Sequence, residues 1–224
     1  MNIIVLHGND KGKLEDRISK FIKAANSRNI IVEKVNAKSD NIYDKLNASS
    51  IFEEEKLVVI ENPKTLSKTS LEWITKNFNT LGITVVMFST SVLSKTFISI
   101  LPSERIVEEY SLPSILYKYL ESFYPGNSDI CIKLLHELIN ITPIEIVYTM
   151  LARHLKDLYW VKKDMKSVNY PSWRLNKLSS QSSKFSEKNL KKIINMTAEG
   201  DIKSKTSSRT LDASLDLLIL TELE

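Results

Sequence analysis

The sequence predicts an α/β domain built on a parallel sheet, followed by an all-helical domain. Three observations predict it. Short β-branched runs alternate with amphipathic stretches as far as about residue 110, and beyond that point every apolar stripe has helical spacing. At 224 residues the chain is long enough for one large or two small domains.

The alternation can be followed element by element. Ile3 to His7 is a short apolar run ending at Gly8, and Lys11 to Arg28 carries Leu14, Ile18, Phe21, Ile22 and Ala25 on one helical face. Ile30 to Val35 reads as a second strand, Asp40 to Ala48 as a short helix capped by Asp40, and Lys56 to Ile60 as a third strand. Thr69 to Leu81 places Leu71, Ile74 and Phe78 on one helical face. Ile83 to Ser89 is a fourth strand, Ser94 to Leu101 a short helix and Arg105 to Tyr110 a last strand. In a sheet of this kind ligands sit at the carboxyl ends of the strands.

In the second half, Ser111 is expected to cap a helix with Leu112, Ile115, Leu116, Tyr119 and Leu120, ended by Pro125-Gly126. Ser128 to Asn140 follows with Ile130, Leu134, Leu135 and Leu138. Thr142-Pro143-Ile144-Glu145 has the form of a capping box with proline at the first helical position, opening a helix through Met150, Leu155 and Val161. Pro171 opens the next through Trp173, Leu175 and Leu178. Ser186 and Asn189 frame the start of Lys188 to Lys203, and Ser208 to Leu223 carries Leu211, Leu215, Leu218 and Ile219. Helices of this length make a bundle.

Composition narrows the function classes. Charged residues at 26% and hydrophobic ones at 42% describe an ordinary globular protein. The single cysteine, Cys131, excludes an internal disulfide and a thiolate cluster. No apolar run approaches the ~18 residues of a membrane span, and Met1-Asn2-Ile3-Ile4-Val5 lacks the charged start of a signal peptide. The expectation is a cytoplasmic protein with no membrane contact. A net charge of +4 permits nucleic-acid contact without demanding it.

The strand ends offer little catalytic chemistry. Gly8-Asn9-Asp10-Lys11-Gly12-Lys13-Leu14 looks like a phosphate loop until it is counted. Three residues separate the glycines where four are needed, and Leu14 stands where a magnesium-binding hydroxyl belongs. The third strand ends in Glu61-Asn62 rather than paired acids, and Ser89, Thr90 and Ser91 are commonplace at a strand end. His136 and His154 have no second pair at metal-ligand spacing, so neither a cofactor nor a metal is expected. Arg153, Lys156, Lys162, Lys163 and Lys166 form a basic run, read either as favourable charge near a helix C-terminus or as phosphate contacts, with Lys162, Lys163 and Lys166 the candidate contacts to DNA.

Ile51 and Phe52 stand out, two large apolar residues in a polar connection before three glutamates and the third strand. They are either a contact for another protein or, for Phe52, a plug under its own sheet.

The order of these features resembles the delta subunit of the bacterial DNA polymerase III clamp loader. Asn47-Ala48-Ser49-Ser50-Ile51-Phe52 before Lys56-Leu57-Val58-Val59-Ile60 is similar to that family's polar-x-x-Ser-Leu-Phe element, with Ile51 in the leucine position. Phe88-Ser89-Thr90-Ser91 with Lys95, Arg153-His154-Leu155-Lys156-Asp157-Leu158, and Lys177-Leu178 through Phe185-Ser186 to Leu190, Asp201 and Lys205 resemble its later elements. The resemblance implies a RecA/AAA+-like domain at 1–110 without a working phosphate loop, a short helical lid remnant or linker at 111–140, and a helical collar-like domain at 141–224. It implies a non-catalytic subunit that binds the sliding clamp (the polymerase III beta subunit) through Ser50, Ile51 and Phe52. It also implies partnership with the gamma/tau and delta prime subunits and with DNA inside the assembled loader. A divergent P-loop-like enzyme and a helical adaptor without a replication role are the competing readings, separated by MgATP binding and by binding of a purified clamp.

Overall fold

The computed structural model describes residues 2–38, 42–47, 55–77, 83–206 and 208–224. It divides into two compact units, Met1–Leu112 and Pro113–Glu224.

The first unit is a five-stranded, wholly parallel sheet. Its strands are β1 (Asn2–His7), β2 (Ile31–Asn36), β3 (Lys56–Glu61), β4 (Ile83–Ser89) and β5 (Ile106–Glu109), in the order β2-β3-β4-β1-β5. Four helices connect them: α1 (Lys11–Ser27), α2 (Ile42–Asn47), α3 (Lys68–Lys76) and α4 (Lys95–Ile100). Going from β1 to β2 the chain steps one way across the sheet, and every later step runs the other way. Right-handed crossovers therefore put α1 alone on one face and α2, α3 and α4 on the other.

The buried residues sort accordingly. Ile4, Leu6, Leu57, Val59 and Val86 pack with Leu14, Ile18 and Ala25 of α1. Their alternate neighbours Ile3, Val5, Val58, Ile60, Val85 and Met87 pack with Ile42, Leu46, Leu71 and Ile74. Because both faces are covered, these strands read as continuous apolar runs rather than alternating ones. The sequence-predicted helix to Leu81 ends at Lys76 among the described residues; Asp40 and Phe78 lie outside them. A 3₁₀ turn at Pro63–Thr65, entered through Asn62 in the left-handed region (φ 52°), had no periodic signal.

The second unit holds α5 (Ser114–Ser122), α6 (Ser128–Ile139), α7 (Ile144–Asp164), α8 (Ser172–Ser183), α9 (Glu187–Lys205) and α10 (Leu211–Glu222). α7 is the central member, touching α5, α6, α8, α9 and α10. Its stripe Val147, Leu151, Leu155 and Leu158 is fully buried. Residues 113–140 share this core: Leu116, Tyr119, Cys131 and Leu135 are buried, and the Gly126 N–H donates to Leu223 O at 2.7 Å.

Two expected caps are corrected. Ser111 donates its hydroxyl to Glu109, and α5 begins after Pro113. Thr142 makes no cap bond; Pro143 is the capping position of α7, and the buried Thr142 hydroxyl has no partner among the described residues. A proline before a helix already fixes the entry dihedral, so the capping hydroxyl is dispensable. Ser186 caps α9 as expected, accepting from Asn189 N at 3.0 Å. Within α6, Ile130 is 56% exposed and Cys131 takes its place in the core.

Candidate functional site

Chain direction reverses across the sheet between β1 and β4, and the crevice outside their carboxyl ends is where a parallel sheet of this kind takes a ligand. The β1–α1 turn that should line it is committed to the protein itself. Gly8 N donates to Ser89 O (3.2 Å), Asp10 N to Tyr110 O (2.9 Å) and Leu14 N to Asp10 O (3.1 Å). Asp10, 3% exposed, is the N-cap of α1: its carboxylate accepts Lys13 N and pairs with the Lys13 ammonium at 3.3 Å. A phosphate loop offers free amides and a lysine to an anion. Here a buried carboxylate stands at the helix N-terminus and takes the Lys13 amide and its ammonium.

The rest of the mouth is closed in the same way. Gly8 has φ +140°, and a β-carbon there would overlap the Tyr110 carbonyl, so β1 and the segment after β5 meet in backbone contact. Asn9 accepts from Leu112 N at 2.7 Å. Lys64 donates to Ser91 Oγ (3.2 Å) and Val92 O (2.9 Å), and Ser89 and Ser91 hydroxyls bond each other. His7 is buried beneath, accepting from Leu93 N at Nδ1 (3.5 Å); burial depresses its pKa, opposed by Glu109 and aided by Lys64. On the α1 side, Arg17 makes a two-pronged bond to Glu108 (2.8 and 2.6 Å), joined by the Tyr110 hydroxyl.

Ser50, Ile51 and Phe52 lie outside the described residues. The structure does describe what flanks them. Lys56, the first residue of β3, is buried; its ammonium donates to Lys45 O (2.8 Å) at the end of α2 and pairs with Glu33 at 2.5 Å. Lys45 pairs with the same carboxylate at 2.6 Å. Burial alone would push Glu33 up, but the two ammonium groups hold it below the usual carboxylate range.

The basic run separates. Lys162 donates to Ser182 O (3.2 Å), at the seam with α8. Lys163 lies 5.9 Å from the Tyr159 ring centre, with Lys191 of α9 at 5.8 Å from the same ring. Lys166 is exposed on a 3₁₀ turn at Met165–Ser167.

No protein-family model matches the chain, and no curated protein matches it in sequence. Solved structures similar to it include the Bacillus subtilis DNA clamp loader delta protein, at 12% identity over 100% of this chain and 95% of that one, TM-score 0.49. A DNA polymerase III gamma subunit-related protein from Thermotoga maritima is similar at 12% identity over 99% and 93%, TM-score 0.32. A chain of Drosophila ORC bound to DNA is similar at 14% identity over 98% and 62%, TM-score 0.37.

The feature that sequence reasoning missed lies in the second unit. A cleft of about 840 Å³ opens between α5, α7 and α8. Gln181 organises its floor. The Gln181 amide nitrogen donates to Leu120 O and Phe123 O, both at 2.8 Å, so its oxygen is left to accept from His154 Nε2 at 2.9 Å. Burial depresses the His154 pKa, which leaves a neutral ring with the proton on Nε2. One wall is Asp157, buried, accepting from the Tyr170 hydroxyl (3.1 and 3.0 Å) and from Arg174 (2.9 Å), whose guanidinium lies 3.9 Å from the Tyr170 ring centre. Trp173, expected on an apolar stripe, is 65% exposed at the rim. Among the described residues no three His, Cys, Asp or Glu side chains group to hold a metal, and no helix is long and apolar enough to cross a membrane.

Proposed function

We propose that the chain is a non-catalytic, delta-type clamp-loader subunit that binds a sliding clamp and helps open it for loading onto primed DNA. The observation that carries this reading is the self-bonded β1–α1 turn: in a parallel sheet of the nucleotide-binding kind, the Lys13 amide and ammonium go to the Asp10 carboxylate, and the Gly8 and Asp10 amides go to the Ser89 and Tyr110 carbonyls. An ATPase of this architecture needs those groups for phosphate, whereas a subunit that only joins one does not. The sequence resemblance at 47–60 and in the second half supports the same reading, with gamma/tau and delta prime subunits as partners in a cytoplasmic assembly.

Ser50, Ile51 and Phe52, which lie in sequence between Lys45 and Lys56, are the proposed clamp contact. The test is capture of a purified sliding clamp by the full chain and by its Ile51→Ala/Phe52→Ala variant. Anchors of this kind account for roughly 2 to 4 kcal/mol, about thirty-fold to several hundred-fold in Kd. The expected result is loss of capture with an unchanged Tm; if Phe52 is a plug, the variant instead loses about 3 to 5 kcal/mol of stability. A folded variant that still captures the clamp removes these residues from the contact.

Lys162, Lys163 and Lys166 are proposed phosphate contacts within the assembled loader. Neutralising them should flatten the log–log salt dependence of DNA binding by up to about 3. Because Lys162 also holds Ser182, a smaller change, near 2, is expected if only the exposed pair contributes.

A further inference from the structure

The cleft between α5, α7 and α8 is built like a binding site and is used by nothing in the reading above. Five basic side chains line it against two acidic ones. Both acids are already engaged, Asp157 by Tyr170 and Arg174 and Glu121 by Lys177 at 2.7 Å. That leaves positive charge in excess. Arg153 and Lys156, successive exposed cations on α7, have no ion pair or hydrogen bond among the described residues. Lys184 stands at the far end over the Tyr124 ring.

The cleft also offers flat aromatic surface. Trp173 of α8 is 65% exposed and Tyr117 of α5 is 40% exposed, and both line the cleft. Leu120, Met150 and Leu178 give an apolar base between them. An exposed indole beside unpaired cations suits a ring that stacks and an anion attached to it. A peptide is served less well. Most of the lining residues sit within helices, where backbone groups are already bonded, so an extended chain finds no ladder to join. An amphipathic helix would meet cations where it needs an apolar groove.

We infer that this cleft binds a nucleotide unit, its base stacked on Trp173 and its phosphate held by Arg153 and Lys156. The same chemistry is presented by a free nucleotide and by one residue of a single strand. The inference is independent of clamp binding, which concerns the other unit.

The experiment uses the full chain at low salt, with two probes: fluorescein-labelled dT8 followed by anisotropy, and unlabelled AMP as competitor. Saturable dT8 binding is expected to weaken about tenfold in Trp173→Ala and at least tenfold in Arg153→Gln/Lys156→Gln. A control of equal charge loss on the same unit, Lys133→Gln/Lys188→Gln, should change it less than twofold. Displacement by AMP assigns the site to a single nucleotide; resistance to AMP with the same variant pattern assigns it to a strand. Equal losses in the cleft and control pairs, an unaffected Trp173→Ala, or no binding of either probe would overturn the inference. Circular dichroism of each variant checks the fold, and Trp173→Phe, which keeps a stacking face, should recover most of the binding lost in Trp173→Ala.

Discussion

The two units treat their concave surfaces in opposite ways. At the sheet's carboxyl end, where a parallel sheet ordinarily meets its ligand, the amides of Gly8, Asp10, Lys13 and Leu14 and the side chains of Asn9, Asp10, Lys13 and Lys64 are bonded to the protein. In the helical unit, Arg153, Lys156 and Trp173 face solvent beside an ordered floor, with no ion pair or hydrogen bond among the described residues. A fold's customary ligand position is therefore no guide here to where free binding capacity lies. What decides it is which polar groups remain unspent.

Three changes would break or sharpen that contrast. The largest effect is expected at Gly8→Ala, since its φ of +140° is strained for any side chain and the added carbon overlaps the Tyr110 carbonyl. We expect a loss of about 3 kcal/mol in urea unfolding of the first unit. A loss below about 1 kcal/mol would mean that the mouth is slack rather than locked.

Asp10→Ala should cost less, about 1 kcal/mol, as the loss of a helix N-cap. It also frees Lys13 and its amide. Calorimetry with MgATP should show no tight binding in the unaltered protein and no more than weak anion binding in the variant, because the turn remains one residue short. Micromolar MgATP binding by the unaltered protein, weakened by Lys13→Ala, would reverse the contrast.

The third change is in pH. His7 under the mouth and His154 under the cleft are both held neutral, chiefly by burial, with pKa values below the ordinary 6.5. Between the folded and unfolded values the unfolded chain binds more protons. Stability is thus complete above about pH 6.5 and falls as pH drops below it. Tm measured from pH 7.5 to 5 should decline, and less so in a His7→Asn/His154→Gln protein. A decline of equal size in that variant would assign it to other groups, beginning with Glu33 and Glu108, whose depressed pKa values make their contribution disappear at still lower pH.

Most of the fold was legible because burial writes a period into the chain. Ile83–Ser89 has the predicted bounds, since a strand covered on both faces is apolar throughout. The closed mouth was half legible: counting showed that Gly8 to Leu14 is too short for phosphate, but not that Asp10 fills the role of cap and counter-charge. The cleft was not legible. Its residues run from Tyr117 to Lys184 on three helices, and periodicity reports which face of a helix is apolar, not which faces meet. Trp173 shows the cost, an aromatic at helical spacing that belongs to the rim and not the core. Lys56 is the converse, a lysine opening a strand that burial and Glu33 make part of the interior.

The bond from Lys56 to Lys45 has a consequence for engineering. It ties the end of α2 directly to the start of β3, so the Lys56 ammonium helps fix where the chain leaves the helix and where it enters the sheet. Doubling the length of a flexible connection between two points so fixed costs only about 0.6 kcal/mol in closure entropy. An insertion between Asn47 and Lys56 is accordingly expected to cost little stability while Lys56 and Glu33 are kept, so that any loss of clamp capture it causes would bear on the contact rather than on the fold.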